Sequence, residues 1–201
     1  MNIKNGLIFG VLLATLGAAS AANAEPIRVR GAVVSLEGQK LVVHARDGKD
    51  VAIMLGDKFN TVGVVKASLA DIKPGVFIGT ASAPQPDGSL KGLEVLLFPE
   101  ALRGAGEGHY PWDLQPKSMM TNATVSSAVK AVDGATLTLA YKGGEQKVTV
   151  GDNVPVVTFG PASAADLVPG AIVFVPGDKK ADGEIASTTV VVGKNGVTPP
   201  M

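Results

Sequence analysis

Residues 109–120 read HYPWDLQPKSMM and gather the scarcest side chains of the chain into twelve positions: its one Trp, one of two His, one of two Tyr and two of five Met. Thioether sulfurs select soft cations such as Cu(I), imidazole binds them as well, and an indole face can lie over a positive charge. His109, Met119, Met120 and Trp112 therefore form a candidate Cu(I) or Ag(I) set. The same stretch admits two other uses. Tyr110, Trp112 and Leu114, with His109 beside them, could form the contact surface for a ligand or partner, because aromatic side chains dominate binding hot spots. They could equally pack as an apolar plug between two folded units while their polar tips stay wet.

A second soft pair, His44 and Met54, does not survive a geometric test. A three-residue hairpin loop, Arg46-Asp47-Gly48, places His44 opposite Asp50 and Met54 opposite Lys40. The two side chains share a face but stand four residues apart, about 13 Å along the strands. They are expected to be surface residues.

Catalytic patterns are weak. With no Cys, a nucleophilic triad would need a Ser and one of the two His, and no G-x-S-x-G turn is present. Gly104-Ala105-Gly106-Glu107-Gly108 lacks the strand and helix that give a phosphate-binding loop its function, and is expected to be a flexible hinge. Asp178 to Glu184 carries two lysines and lacks alternating calcium ligands, so it is expected to be a hairpin turn. Asn122-Ala123-Thr124 matches a glycosylation sequon and is read as the polar start of a strand. No catalytic activity and no resident cofactor are expected.

The elements that must position these residues come in two copies. Asp71-Ile72-Lys73-Pro74-Gly75 recurs as Asp166-Leu167-Val168-Pro169-Gly170, Asp87-Gly88 as Asp182-Gly183, and Gly56-Asp57 as Gly151-Asp152, each 95 residues later. Several anchors on one offset indicate a tandem repeat. In the first copy, Ile27 to Val33, Lys40 to Ala45 and Asp50 to Leu55 alternate with period 2, as half-buried strands do. Phe59 to Val65 is a further extended segment. Ala67 to Ile72 is expected to make one or two helical turns, ended by Lys73-Pro74-Gly75. Val76 to Ala81 and Leu90 to Phe98 complete the copy, and the second copy repeats the order.

Three strands, a short helix and two strands is the order of a five-stranded OB barrel. The expected fold is all-β: two tandem small OB-like barrels, each with one short helix, with small SH3-like or double-ψ barrels as the runner-up. The first barrel would span residues 25–100, a Gly/Pro-rich aromatic linker 101–123, and the second barrel 124–201.

The opening MNIKNGLIFGVLLATLGAASAANA places Lys4 before an apolar run and a small-residue site ending at Ala24, which is the pattern of a secretory signal peptide over residues 1–24. The run is shorter than the ~20 residues that span a bilayer, so a periplasmic or secreted chain beginning at Glu25 is expected, without a transmembrane segment. Removal of Lys4 leaves 17 basic against 18 acidic residues, a net charge of −1. That balance offers no basic surface for nucleic acid. Without cysteine there is no disulfide, and the core alone must stabilise the fold.

The repeated D-[IL]-x-P-G-x-x-[IV] segment, the Asp-Gly turn before the last strand and the export signal together resemble a family of bacterial secreted β-barrel repeat proteins known only as a domain of unknown function. The resemblance covers nearly all of the mature chain and implies a barrel fold and a periplasmic address, with no functional residues. Some periplasmic OB barrels bind Cu(I) or Ag(I) through His, Met and Trp; the small chaperone of the Cus efflux system is similar in fold class. The expected function is a non-catalytic periplasmic binding or accessory protein that meets an unidentified ligand or protein through the linker. A soft-metal binder is the alternative.

Overall fold

The computed structural model describes residues 24–199; the expected signal peptide lies outside these residues except for Ala24. Among the described residues twelve strands form one hydrogen-bonded sheet. They are β1 (Glu25–Glu37), β2 (Lys40–Ala45), β3 (Asp50–Lys66), β4 (Phe77–Pro84), β5 (Leu90–Leu97), β6 (Gly108–Pro111), β7 (Met119–Ala131), β8 (Gly134–Tyr141), β9 (Gly144–Gly151), β10 (Val156–Pro161), β11 (Ile172–Lys179) and β12 (Ile185–Gly193). The expected helices are single 3-10 turns, Leu69–Asp71 and Ala164–Asp166, with a third turn at Glu100–Leu102. The chain is all-β, as its period-2 patterning requires.

The repeated residues recur because each solves the same local problem. Asp71 accepts a hydrogen bond from the Ser68 amide at 2.9 Å, and Asp166 accepts one from Ser163 at 2.9 Å, so each closes a 3-10 turn. Gly75 and Gly170 follow at φ +91° and +86°, a conformation that L side chains resist. The hairpin loop after β2 is also as expected: Gly48 has φ +83°, and Lys40 faces Met54 while His44 faces Asp50. His44 Nδ1 lies 2.7 Å from Asp50 Oδ1 on the surface. The turn at 178–184 is a hairpin between β11 and β12, in which the Lys180 ammonium donates a hydrogen bond to the Glu184 carboxylate.

The pairing of the strands departs from one barrel per copy. β1, β2 and β3 do not close with β4 and β5 of their own copy. They close with β11 and β12 of the other: β1 pairs β11 over eight positions, and β12 runs parallel to β3 from Ile185–Ile53 to Gly193–Val64. This is a closed five-strand barrel. Reciprocally, β4 and β5 join β7, β8 and β9, with β4 antiparallel to β7 and a short parallel contact, Leu90–Val148 and Lys91–Thr149, linking β5 to β9. The exchange extends to the connecting loops. Gly75 donates to the Val125 carbonyl and Gly170 to the Val33 carbonyl, both at 2.8 Å.

β3 makes this possible by running unbroken for 17 residues and carrying the chain from the barrel into the second ring. The segment Phe59 to Val65 thus continues the third strand. In the second copy the equivalent strand is split into β9 and β10. Pro155, which lacks an amide hydrogen, occupies the position of Asn60, 95 residues earlier.

Two cores fill the two rings. Val29, Val33, Leu41, Val43, Ile53 and Val190 belong to the first; Ile78, Val95, Val125, Leu137, Leu139 and Val148 belong to the second. A third cluster, Val64, Leu96, Val157, Phe174 and Val191, joins them at the crossing of β3 and β10, with Phe98 and Phe159 packed against it. Each such side chain contributes roughly 1.5–3 kcal/mol relative to exposure.

Candidate binding surface at the barrel junction

The linker is built into the sheet. β6 pairs antiparallel with the start of β7, His109 facing Thr121, Tyr110 facing Met120 and Pro111 facing Met119. Residues 112–118 close a tight turn above this pair. Trp112 donates its amide hydrogen to the Ser118 carbonyl at 2.8 Å, and the buried Ser118 hydroxyl lies 3.0 Å from the Trp112 carbonyl and 2.8 Å from that of Gln115. Lys117 takes φ +62° to complete it.

The glycine run before β6, expected to be a flexible hinge, is instead tied down at several points. The Asn122 amide nitrogen donates to the Ala105 carbonyl at 3.3 Å, and Glu107 accepts from the Lys142 amide at 2.9 Å. Gly106, at φ +59°, lies so close that an added Cβ would sit 2.9 Å from Asn122 Nδ2. The Asn122 side chain also reaches the Tyr110 hydroxyl at 3.2 Å. Asn122 is thus a buried brace within β7, where a polar strand start was expected.

From this platform the turn reaches across to the first barrel. The Arg28 guanidinium lies over the Trp112 ring at 4.0 Å, and Tyr110 meets the indole edge-on with centroids 6.1 Å apart. Arg30, only 9% exposed, donates two hydrogen bonds to the Asp113 carboxylate at 2.8 and 3.2 Å, while its guanidinium lies 5.1 Å from the Phe174 ring centroid. Arg28 approaches the same carboxylate at 3.7 Å. Partial burial works to raise the Asp113 pKa. The hydrogen bonds and charge of Arg30, reinforced by Arg28, outweigh it and hold the carboxyl below its ordinary range. Burial pushes the Tyr110 phenol up, with Arg28 opposing, and burial pushes the His109 imidazole down.

Sequence reasoning missed Arg28 and Arg30, which read as the outward positions of an ordinary strand. Their pairing with a linker some 80 residues away has no local signal. It also missed the small cavity, about 50 Å³, beneath the turn between Gly79, Leu96, Phe98, Tyr110, Trp112 and Met120, with Glu94 and Asn122 at its edge. The Trp112 Nε1 atom is buried and makes no hydrogen bond there.

The strand register separates the proposed soft ligands. Side chains at facing positions of an antiparallel pair project to one side and alternate along each strand. His109 and Met119 therefore lie on one face of the β6–β7 pair, and Met120, with Tyr110, on the other. Trp112, just beyond β6, packs on the Tyr110 side. His109 Nδ1 lies 2.9 Å from the Thr121 hydroxyl, and its ring stacks on Tyr141 at 6.2 Å. Among the described residues no group of three or more His, Cys, Asp or Glu is placed to hold a metal, and no helix is long and apolar enough to cross a membrane. Tyr110, Trp112, Leu114 and His109 are each partly exposed. The structure thus packs Tyr110 against Trp112, sets Leu114 two residues on in the same turn, and turns His109 to the other face of β6.

Comparisons with family models, with curated proteins and with solved structures find no match to this chain.

Proposed function

We propose that the protein is an exported, non-catalytic binding or accessory module of two OB-like barrels, which engages a periplasmic ligand or partner protein through the junction surface of Tyr110, Trp112 and Leu114, while His109 lies on the other face of β6, outside that surface. The strand order β1-β2-β3-β12-β11, in which β3 and β12 run parallel, supports the OB-like reading of the first barrel, and the order β7-β8-β9-β5-β4, in which β9 and β5 run parallel, supports it for the second ring.

The observation that carries the functional reading is the mounting of Trp112. Its indole is partly open to solvent, covered on one face by Arg28 at 4.0 Å, and held by a turn that β7 and the Arg30–Asp113 pair both anchor. A rigid aromatic beside a guanidinium offers affinity at low ordering cost, because few rotamers are lost when it is covered. The secretory pattern of residues 1–24 in the sequence is what motivates the periplasmic setting.

A photo-crosslinking side chain at Leu114 in the full-length protein in intact cells tests this. The expected result is a discrete adduct that Trp112→Ala abolishes and that the same side chain at exposed Lys91 does not form. Equal labelling from both positions would remove the junction as the contact surface. The soft-metal alternative draws less support, since His109 and Met119 lie across the strand pair from Met120 and Trp112. Stoichiometric quenching of Trp112 by Cu(I), lost in His109→Ala, would restore it.

A further inference from the structure

The two five-strand rings are built from equivalent positions, so each serves as a control for the other. In the first barrel Leu36 faces Leu41, which faces Ile53. In the second ring Ala128 faces Leu137, which faces Val148. Leu36 and Ala128 are therefore equivalent, and so are Phe59 and Val154, 95 positions apart. Leu36 and Phe59 pack on the first core. Ala128, smaller than Leu36, borders an open pocket of about 520 Å³ at the corresponding end of the second ring, whereas Val154 packs on the second core outside it. That size falls within the ~300–1,000 Å³ of ligand pockets.

The pocket is lined by Leu69, Ile72, Ala128, Ala131, Ala135 and Leu137, all apolar. Its rim carries Lys73 and Lys130 against one carboxylate, Asp152. Lys73 stands where the first barrel has Val168. The β7–β8 hairpin is also two residue pairs longer than β1–β2, through Lys130–Ala135 and Ala131–Gly134, and these extra residues form the pocket wall. The hairpin exposes Val129 and, at its tip, Val132, which is 96% exposed. A smaller residue at position 128, a longer wall and a cationic rim all occur on the same ring.

We propose that this pocket binds the alkyl chain of a single-chain amphiphile with an anionic head, the chain entering between the 3-10 turn at Leu69–Asp71 and the β7–β8 hairpin and the head pairing with Lys73 and Lys130. Apolar walls favour the chain through burial of its methylenes, and the two ammonium groups select the head. The site shares no residue with the junction surface and does not rest on the function proposed for it.

Isothermal titration of the mature protein with dodecanoate, below its micellar concentration, tests the proposal, with dodecyltrimethylammonium as the head-group control. The expected result is saturable 1:1 binding of dodecanoate and weaker binding of the cation. Ala128→Leu, which restores the filling residue of the other barrel, should weaken dodecanoate at least ~10-fold while melting no lower than the wild type. The surface variant Lys73→Glu with Lys130→Glu provides a second check that does not touch the core, and should reverse the head-group preference. Absence of saturable binding by the wild type, or undiminished binding by both variants, would overturn it.

Discussion

Val64 and Phe159, 95 positions apart in the chain, face each other across the antiparallel pair of β3 and β10. They are the same position of the two repeats, so a pseudo-two-fold axis passes between them. The neighbouring pairs obey it: Val157 faces Lys66 as Val62 faces Pro161. The parallel contacts do too, with Val156–Val95 matched by Val190–Thr61. The junction therefore has the isologous geometry of a two-fold dimer interface, realised within one chain whose halves have exchanged their last two strands.

If the halves are interleaved in this way, cutting the connection should not part them. A protease site inserted between Gly104 and Ala105, cleaved in the folded protein, should leave two fragments that co-elute and unfold in a single transition. Two separately folded fragments on size-exclusion chromatography would show that the pairing is otherwise.

At the axis the two strands approach closely around Gly63. A Cβ there would lie 2.8 Å from the Pro161 carbonyl oxygen and 2.9 Å from that of Gly160. Gly63→Ala should cost about 2–3 kcal/mol, within the range of severe backbone conflicts, read as a lower midpoint in chemical denaturation. The equivalent change at Gly56, whose Cβ would meet only a Thr188 methyl at 3.5 Å, should cost far less.

The sequence carried the strands of the two copies, the 3-10 turn of each, the Asp-Gly loops and the repeat, because period-2 burial and positive-φ glycines are local and leave local marks. β6 lay in the expected linker and was not read as a strand. It could not carry the exchange. Position 173 occupies in the first barrel the place that position 78, 95 residues earlier, would fill in an unexchanged one, and both are apolar. Either partner satisfies the pattern of β1 equally well. What decides is the unbroken course of β3 and the junction cluster of Val64, Leu96, Val157, Phe174 and Val191, which depend on three-dimensional closure. The linker aromatics were legible as unusual. Their partners, Arg28 and Arg30, were not, since a charged residue alternating along a strand looks the same whether it meets water or a distant carboxylate.

The Arg30–Asp113 pair should show in the acid limb of stability. The folded-state pKa of Asp113 is depressed below its unfolded value of about 3.9. The pair thus stabilises the fold fully above that pH, and the contribution is lost as pH falls through the lower folded-state value. Asp113→Asn should lower stability by about 1–2 kcal/mol at pH 7, less than a fully buried charged pair because the carboxylate is 45% exposed. It should also flatten the acid limb. An unchanged pH profile would mean that the pair carries no net stabilisation.

Trp112→Ala removes the indole that Arg28 covers and opens the cavity beneath it. Its cost should be about 2 kcal/mol, below the ~3–5 of a fully buried aromatic, with unfolding still a single transition. Equal destabilisation from Leu114→Ala would shift the anchoring role from the indole to the turn as a whole.

The most direct test uses the absence of cysteine in the chain. Facing residues of an antiparallel pair bring their Cα atoms within the range a disulfide spans, about 4.4–6.8 Å. Pro26 of β1 faces Asp178 of β11, whereas an unexchanged barrel would set it against Ala83, 95 positions earlier. Two double variants, Pro26→Cys with Asp178→Cys and Pro26→Cys with Ala83→Cys, can be oxidised at high dilution and their cross-links read by peptide mass spectrometry. Exchange of strands between the repeats predicts an intramolecular disulfide in the first and none in the second. The reverse outcome would contradict it.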